Sequence, residues 1–140
     1  GIFMAGFERV ANILVVEDDK ETVEITSRAL GKGGWRATIA LSMEDALMDF
    51  DRIKFDLVVT DIFMAGMGGI EGIQRMREIR PDVKILATSA GYSEMSPGAA
   101  LKAAEKIGAD AILPKPFALD ELRRTVAVLS DEGNEESDGA

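Results

Sequence analysis

Short apolar runs alternate with longer stretches whose apolar residues recur every three or four positions, five times over between Asn12 and Leu129. Ile13-Leu14-Val15-Val16 predicts a first, buried strand that ends on Glu17-Asp18-Asp19. Lys20 to Leu30 then reads as a helix, with Val23, Ser27 and Leu30 on one face and Gly31, Gly33 and Gly34 as its stop. Trp35 to Ala40 is a second, half-buried strand. Ser42 followed by Asp45 resembles a capping box, and Met43, Ala46, Leu47 and Phe50 follow at helical spacing. The third run, Leu57-Val58-Val59-Thr60, stops abruptly on Asp61.

Gly69 to Arg80 predicts a third helix, with Ile70, Ile73 and Met76 facing inward and Pro81 closing it. Val83 to Ser89 is a fourth strand that ends on hydroxyls. Ser96 before Pro97 is an N-cap with proline at the first helical position, and Ala100, Ala103, Ala104 and Ile107 mark a fourth helix ended by Gly108. Ala111-Ile112-Leu113 is a short fifth strand broken by Pro114-Lys115-Pro116. Leu119, Leu122, Val126 and Leu129 line the last helix.

Strict strand-helix alternation predicts an α/β fold, a doubly wound five-stranded parallel sheet flanked by five helices. Parallel strands point the same way, so residues just past strands one, three, four and five open on one rim, where ligands bind in such sheets. Glu17-Asp18-Asp19, Asp61, Ser89 and Lys115 can therefore converge.

At 140 residues the chain fits one domain, assigned to 12–130, preceded by an N-terminal extension or expression remnant at 1–11 and followed by an acidic disordered tail at 131–140. Hydrophobic residues make up 46% and charged residues 29%, and no apolar run is long enough to span a bilayer, so a soluble cytoplasmic protein is expected. The absence of cysteine and histidine removes thiolate metal sites, disulfides and the usual general base. Sixteen basic against 25 acidic residues give a formal charge of -9, which disfavours nucleic acid and anionic membranes as partners.

Carboxylates crowded on a rim repel one another and call for a cation, and a hard oxygen cluster suits Mg²⁺. Asp61 could then attack phosphorus as a carboxylate nucleophile, with Lys115 holding one phosphoryl oxygen as a point charge and Ser89 donating a hydrogen bond to another.

Ile13 to Asp19, Val58 to Met64, Ile85 to Ala90 and Lys115-Pro116-Phe117 together resemble the receiver domains of two-component response regulators, from about Asn12 to Leu129. The resemblance implies flavodoxin-like strand order 2-1-3-4-5 and Asp61 as acceptor of a phosphoryl group from a histidine kinase or phosphotransfer protein. It puts the metal-binding acidic pair on Glu17 and Asp18, with Asp18 the direct ligand, and adds Asp61 and the backbone carbonyl of Phe63 as metal ligands. The switch hydroxyl falls on Ser89, with Thr88 as the alternative. Departures are Ala65 for the third-loop proline, Gly68-Gly69 for an Asp-Gly pair, and Ile112 at the switch aromatic. The glycines predict a mobile third loop.

The expected function is a stand-alone receiver, not an enzyme, that relays phosphate or switches a partner-binding surface. The fourth helix, fifth strand and fifth helix would form that surface and a candidate homodimer contact. The alternatives are a degenerate receiver acting as an interaction module, a Rossmann-like phosphatase with an Asp nucleophile, and a flavodoxin-type cofactor binder. The phosphatase would want a second acid at Phe63, and the acids after strand one would repel a flavin phosphate.

Overall fold

The computed structural model describes residues 11–64, 66–90 and 96–138; the assigned N-terminal extension up to residue 10 and the link at 91–95 lie outside them. Five strands, β1 (Asn12–Val16), β2 (Arg36–Ala40), β3 (Leu57–Asp61), β4 (Lys84–Ser89) and β5 (Ala111–Pro114), pair in parallel in the order β2-β1-β3-β4-β5. Helices α1 (Lys20–Lys32), α2 (Met43–Arg52), α3 (Gly69–Ile79), α4 (Pro97–Ile107) and α5 (Leu119–Asp138) connect and cover them.

The apolar strands lack a polar face because each face of the sheet meets its own helices. In β1, Ile13 and Val15 pack with Val23 and Leu30 of α1 and Leu122 and Val126 of α5. Leu14 and Val16 point the other way, against Met43 and Phe50 of α2, Ile73 and Met76 of α3, and Ala104 of α4. Burying each such side chain contributes roughly 1.5–3 kcal/mol, so the two cores fix strand register as well as stability. That register places Val15 beside Val59, Val59 beside Leu86, Asp61 beside Thr88 and Ser89 beside Pro114. The carboxyl ends of β1, β3, β4 and β5 consequently reach one rim.

Local sequence sets the helix ends. Asp19, Ser42 and Ser96 each accept a backbone hydrogen bond as N-caps of α1, α2 and α4, from Thr22, Asp45 and Ala99. Gly108 ends α4 in the left-handed region at φ 85°. Three expectations change. α1 runs past Gly31 to Lys32 and buries Val23, Thr26, Ala29 and Leu30, while Ser27 is only half-buried. Ile70 is exposed, because the inward stripe of α3 is Gly69, Gly72, Ile73 and Met76, and Ile70 lies one position off it. α5 continues beyond residue 130 to Asp138, through residues assigned to a tail: the segment contains no proline, and Gly133 weakens a helix without ending it.

Arg77 fastens the edge opposite β2. From α3 its guanidinium donates to the carbonyls of Gly108 (3.0 Å), Pro81 (3.1 Å) and Val83 and pairs with Asp110 at 2.8 Å. The same Asp110 oxygen accepts the Ile85 N–H at 2.7 Å, so one carboxylate joins α3, β4 and the approach to β5. Arg77→Ala should lower stability by about 2–4 kcal/mol, because it leaves a half-buried carboxylate and several carbonyls without their donor. Chemical denaturation followed by the fluorescence of the lone Trp35 measures it; a loss below about 0.5 kcal/mol would be that of an ordinary surface residue and would refute the clamp.

Candidate functional site

The rim carries an acidic cluster around one lysine. β1 hands over to Glu17, whose N–H still bonds the Ala40 carbonyl (3.1 Å), so this acid is held as an extension of the strand and is 5% exposed. Asp61, the last residue of β3, is 8% exposed. Lys115, just past β5, places its Nζ 2.5 Å from Glu17 Oε1 and 3.1 Å from Asp61 Oδ2. Asp18 is exposed, yet one carboxylate oxygen each from Glu17, Asp18 and Asp61 lies within 4.8 Å of the others.

The electrostatics follow from burial against pairing. Burial, and secondarily the like charge of Asp61, push the Glu17 carboxyl above its ordinary value, and the bond from Lys115 only partly offsets them. Burial alone would depress Lys115, but its hydrogen bonds to Glu17 and Asp61 outweigh that and raise it, so the ammonium stays charged at neutral pH. Lys115 is one positive charge facing two buried carboxylates with a third acid beside them. Net negative charge therefore remains, and three carboxylate oxygens at this spacing suit a hard divalent ion such as Mg²⁺. Both oxygens of Glu17 are engaged, Oε1 by Lys115 and Oε2 by the Asp19 N–H at 3.4 Å.

Asp19 has a different task. Its Oδ2 accepts from the Thr22 N–H at 2.9 Å and from the Thr22 hydroxyl, capping α1 and holding the helix start against the Glu17 turn. An Asp three residues before a Thr was the signal for this in the sequence. Two glycines of the third loop meet specific backbone demands. Gly66 has φ 78°, a conformation that favours glycine. Gly69 is required for closeness: a Cβ there would lie 2.4 Å from the Asp61 carbonyl oxygen and 2.7 Å from Ile62 Cα, while its N–H bonds the Ile62 carbonyl at 2.9 Å. α3 thus abuts the backbone that carries Asp61. On the other side of that acid, the Phe63 N–H donates to Asp61 Oδ1 at 3.3 Å and the Phe63 ring is 63% exposed.

The two hydroxyls at the end of β4 part company. Thr88 is in register with Asp61 and lies on the side of the sheet that faces α1, whereas the pleat turns Ser89 to the opposite side. Both are buried, and the Ser89 carbonyl accepts the Lys115 N–H at 3.0 Å, tying the end of β4 to the lysine's own backbone.

The family model described as response regulator receiver domain matches residues 13–127. The chain belongs to this family. Among its relatives, the sensory transduction protein RegX3 of Mycobacterium tuberculosis is 32% identical over 134 residues, covering 93% of this chain and 57% of that protein. The chain thus spans little more than half the length of that relative. A CheY-like receiver domain protein from Methanospirillum hungatei superposes with a TM-score of 0.80 at 25% identity, covering 91% of this chain and 99% of that one. The receiver domain of DrrB, from Thermotoga maritima and solved in a BeF3-activated form, gives 0.74 at 27% identity over 88% of this chain and 99% of that one. The strand order expected from the family is the order observed.

Two predictions follow from the site's framework. Gly69→Ala should cost about 1–3 kcal/mol and shift the amide resonances of Asp61 and Ile62, since backbone rather than a flexible side chain must give way; unchanged resonances and stability would contradict the close approach. The bonds from Thr22 hold the Asp19 carboxyl below its ordinary value of 3.8. Its charged cap contributes stability that is complete above that value and lost as pH falls through the lower folded value. Asp19→Asn, which keeps a neutral cap, should melt below the parent near neutral pH, and the gap should close as pH drops below 3.8. A pH-independent gap would mean that charge is not involved.

Proposed function

We propose that this receiver takes a phosphoryl group onto Asp61 from a phosphohistidine of a histidine kinase or phosphotransfer protein. The observation that carries the reading is the Lys115 ammonium held between Glu17 and Asp61 with Asp18 alongside, an acid nucleophile already provided with a cation for the incoming charge. One Asp61 carboxylate oxygen forms the new O–P bond, the donor's N–P bond breaks, and the leaving imidazole keeps the electron pair and takes a proton. Asp18, Asp61 and the Phe63 carbonyl are the proposed direct ligands of Mg²⁺, with Glu17 supporting them. Bound there, Mg²⁺ offsets the repulsion between the carboxylate and the phosphoryl oxygens.

Lys115 moves its charge from the free Asp61 carboxylate to a phosphoryl oxygen, and Ser89 donates a hydrogen bond to another. Because the Ser89 carbonyl is bonded to the Lys115 N–H, movement of either is felt by the other and by the start of the segment leading to α4. The output surface proposed is α4, β5 and α5, which is also the proposed homodimer contact. Ile112 is half-buried against the core shared with α4, so the readout there relies on packing rather than on a swinging aromatic ring. The chain is a relay that is itself modified rather than an enzyme of turnover, and it acts in the cytoplasm where such kinases present their phosphohistidine.

Incubation with acetyl phosphate and Mg²⁺, followed by intact mass, should show a single added phosphoryl group, absent without Mg²⁺ and absent in Asp61→Asn. Uptake that persists in Asp61→Asn would remove Asp61 from the role. No uptake by the parent chain would favour an interaction module that works without phosphate.

A further inference from the structure

Behind Lys115, on the α1 side of the sheet, lies a small cavity of about 10 Å³ that the chemistry above leaves unused. Val15, Val16, Val59 and Phe117 supply its apolar lining. Its polar wall brings Thr26 from α1 and Thr88 from β4 together with Glu17 and Lys115. Thr26 and Thr88 are 5% and 4% exposed. Thr22 also borders the space, but its hydroxyl is committed to Asp19.

A cavity of this size is about the smallest that accommodates one water molecule, and occupancy needs two to four polar partners. Here the wall supplies two hydroxyls, each able to donate and accept, beside an ammonium with three N–H donors of which Glu17 and Asp61 take two.

We propose that this cavity holds one ordered water bonded by Thr26, Thr88 and the Lys115 ammonium, which makes Thr26 and Thr88 positioning residues for Lys115. The water takes the third lysine N–H and supports the ammonium from behind, so that it stays over the carboxylates at the rim. It also links α1 to β4 through a contact that neither side chain makes directly. The role in phosphoryl uptake rests on the function proposed above; the water itself does not.

The test separates the two. In the parent chain, nuclear Overhauser transfer from a long-lived water to the γ-methyls of Thr26 and Thr88 is expected. Thr88→Val keeps the shape and removes the hydroxyl, and should abolish the transfer at Thr26. The same variant should slow uptake from acetyl phosphate by about 3- to 10-fold, the scale of a small misplacement of a positioning group, with Mg²⁺ affinity by calorimetry unchanged. Thr26→Val should do likewise, and Thr88→Ser should restore both readouts. No long-lived water in the parent, or valine variants that phosphorylate at the parent rate, would overturn the proposal. A water signal in a parent chain that never takes up phosphate would support the water and discard the phosphoacceptor reading.

Discussion

Charge balance at the rim is the constraint on which the rest of this structure depends. Glu17 and Asp61 are carboxylates with almost no exposure, and two like charges under 5 Å apart repel by about 3 kcal/mol even at an effective dielectric of about 20. Lys115 makes the arrangement tenable by bonding both. One lysine cannot neutralise three acids, however, and the remaining negative charge is what suits the site to a divalent cation. A core that neutralised itself fully would be more stable and would have no such use.

Everything that brings Lys115 to those acids is long-range. Glu17 and Lys115 lie 98 positions apart in the chain, and they meet because five parallel strands end on one rim in the order β2-β1-β3-β4-β5. That order puts β3 at the centre, with Asp61 flanked by β1 on one side and β4 on the other. The Arg77–Asp110 clamp secures β4 and the entry to β5 at the opposite end of the same strands, so the lysine's approach is set by a strand held at both ends. Stability at the floor of the sheet and chemistry at its rim are therefore parts of one geometry.

Much of this was legible in the sequence, for reasons that differ by element. The apolar runs gave the strands because a parallel strand covered on both faces has no polar alternation to confuse with a turn. Ser42, Ser96 and Gly108 announced helix ends because capping is a local property. Glu17, Asp18, Asp61 and Lys115 came together as expected, since any topology that aligns parallel strands aligns their ends. What was not legible depends on contacts between segments. Ile70 looks inward by its chemistry and is exposed because glycines, not isoleucine, let α3 close onto the end of β3. Gly69 reads as a flexible residue and acts as a spacer, a difference visible only when the Asp61 carbonyl is found beside it.

The two hydroxyls of β4 show how far a single pleat matters. Thr88 and Ser89 are adjacent, both buried, and chemically near-equivalent as donors. Alternation sends Thr88 toward α1 beside Val15 and Val59, into a space already polar from Glu17 and Lys115, and sends Ser89 to the side of the sheet shared with α3 and α4. The residue in register with Asp61 thus borders the space beside the lysine, while its neighbour lies on the side of the core shared with α4. A shift of one residue in the pairing of β3 with β4 would exchange those positions. The apolar residues of β4, Ile85 and Ala87 on one side and Leu86 on the other, prevent that exchange because a slip would turn each out of its own core.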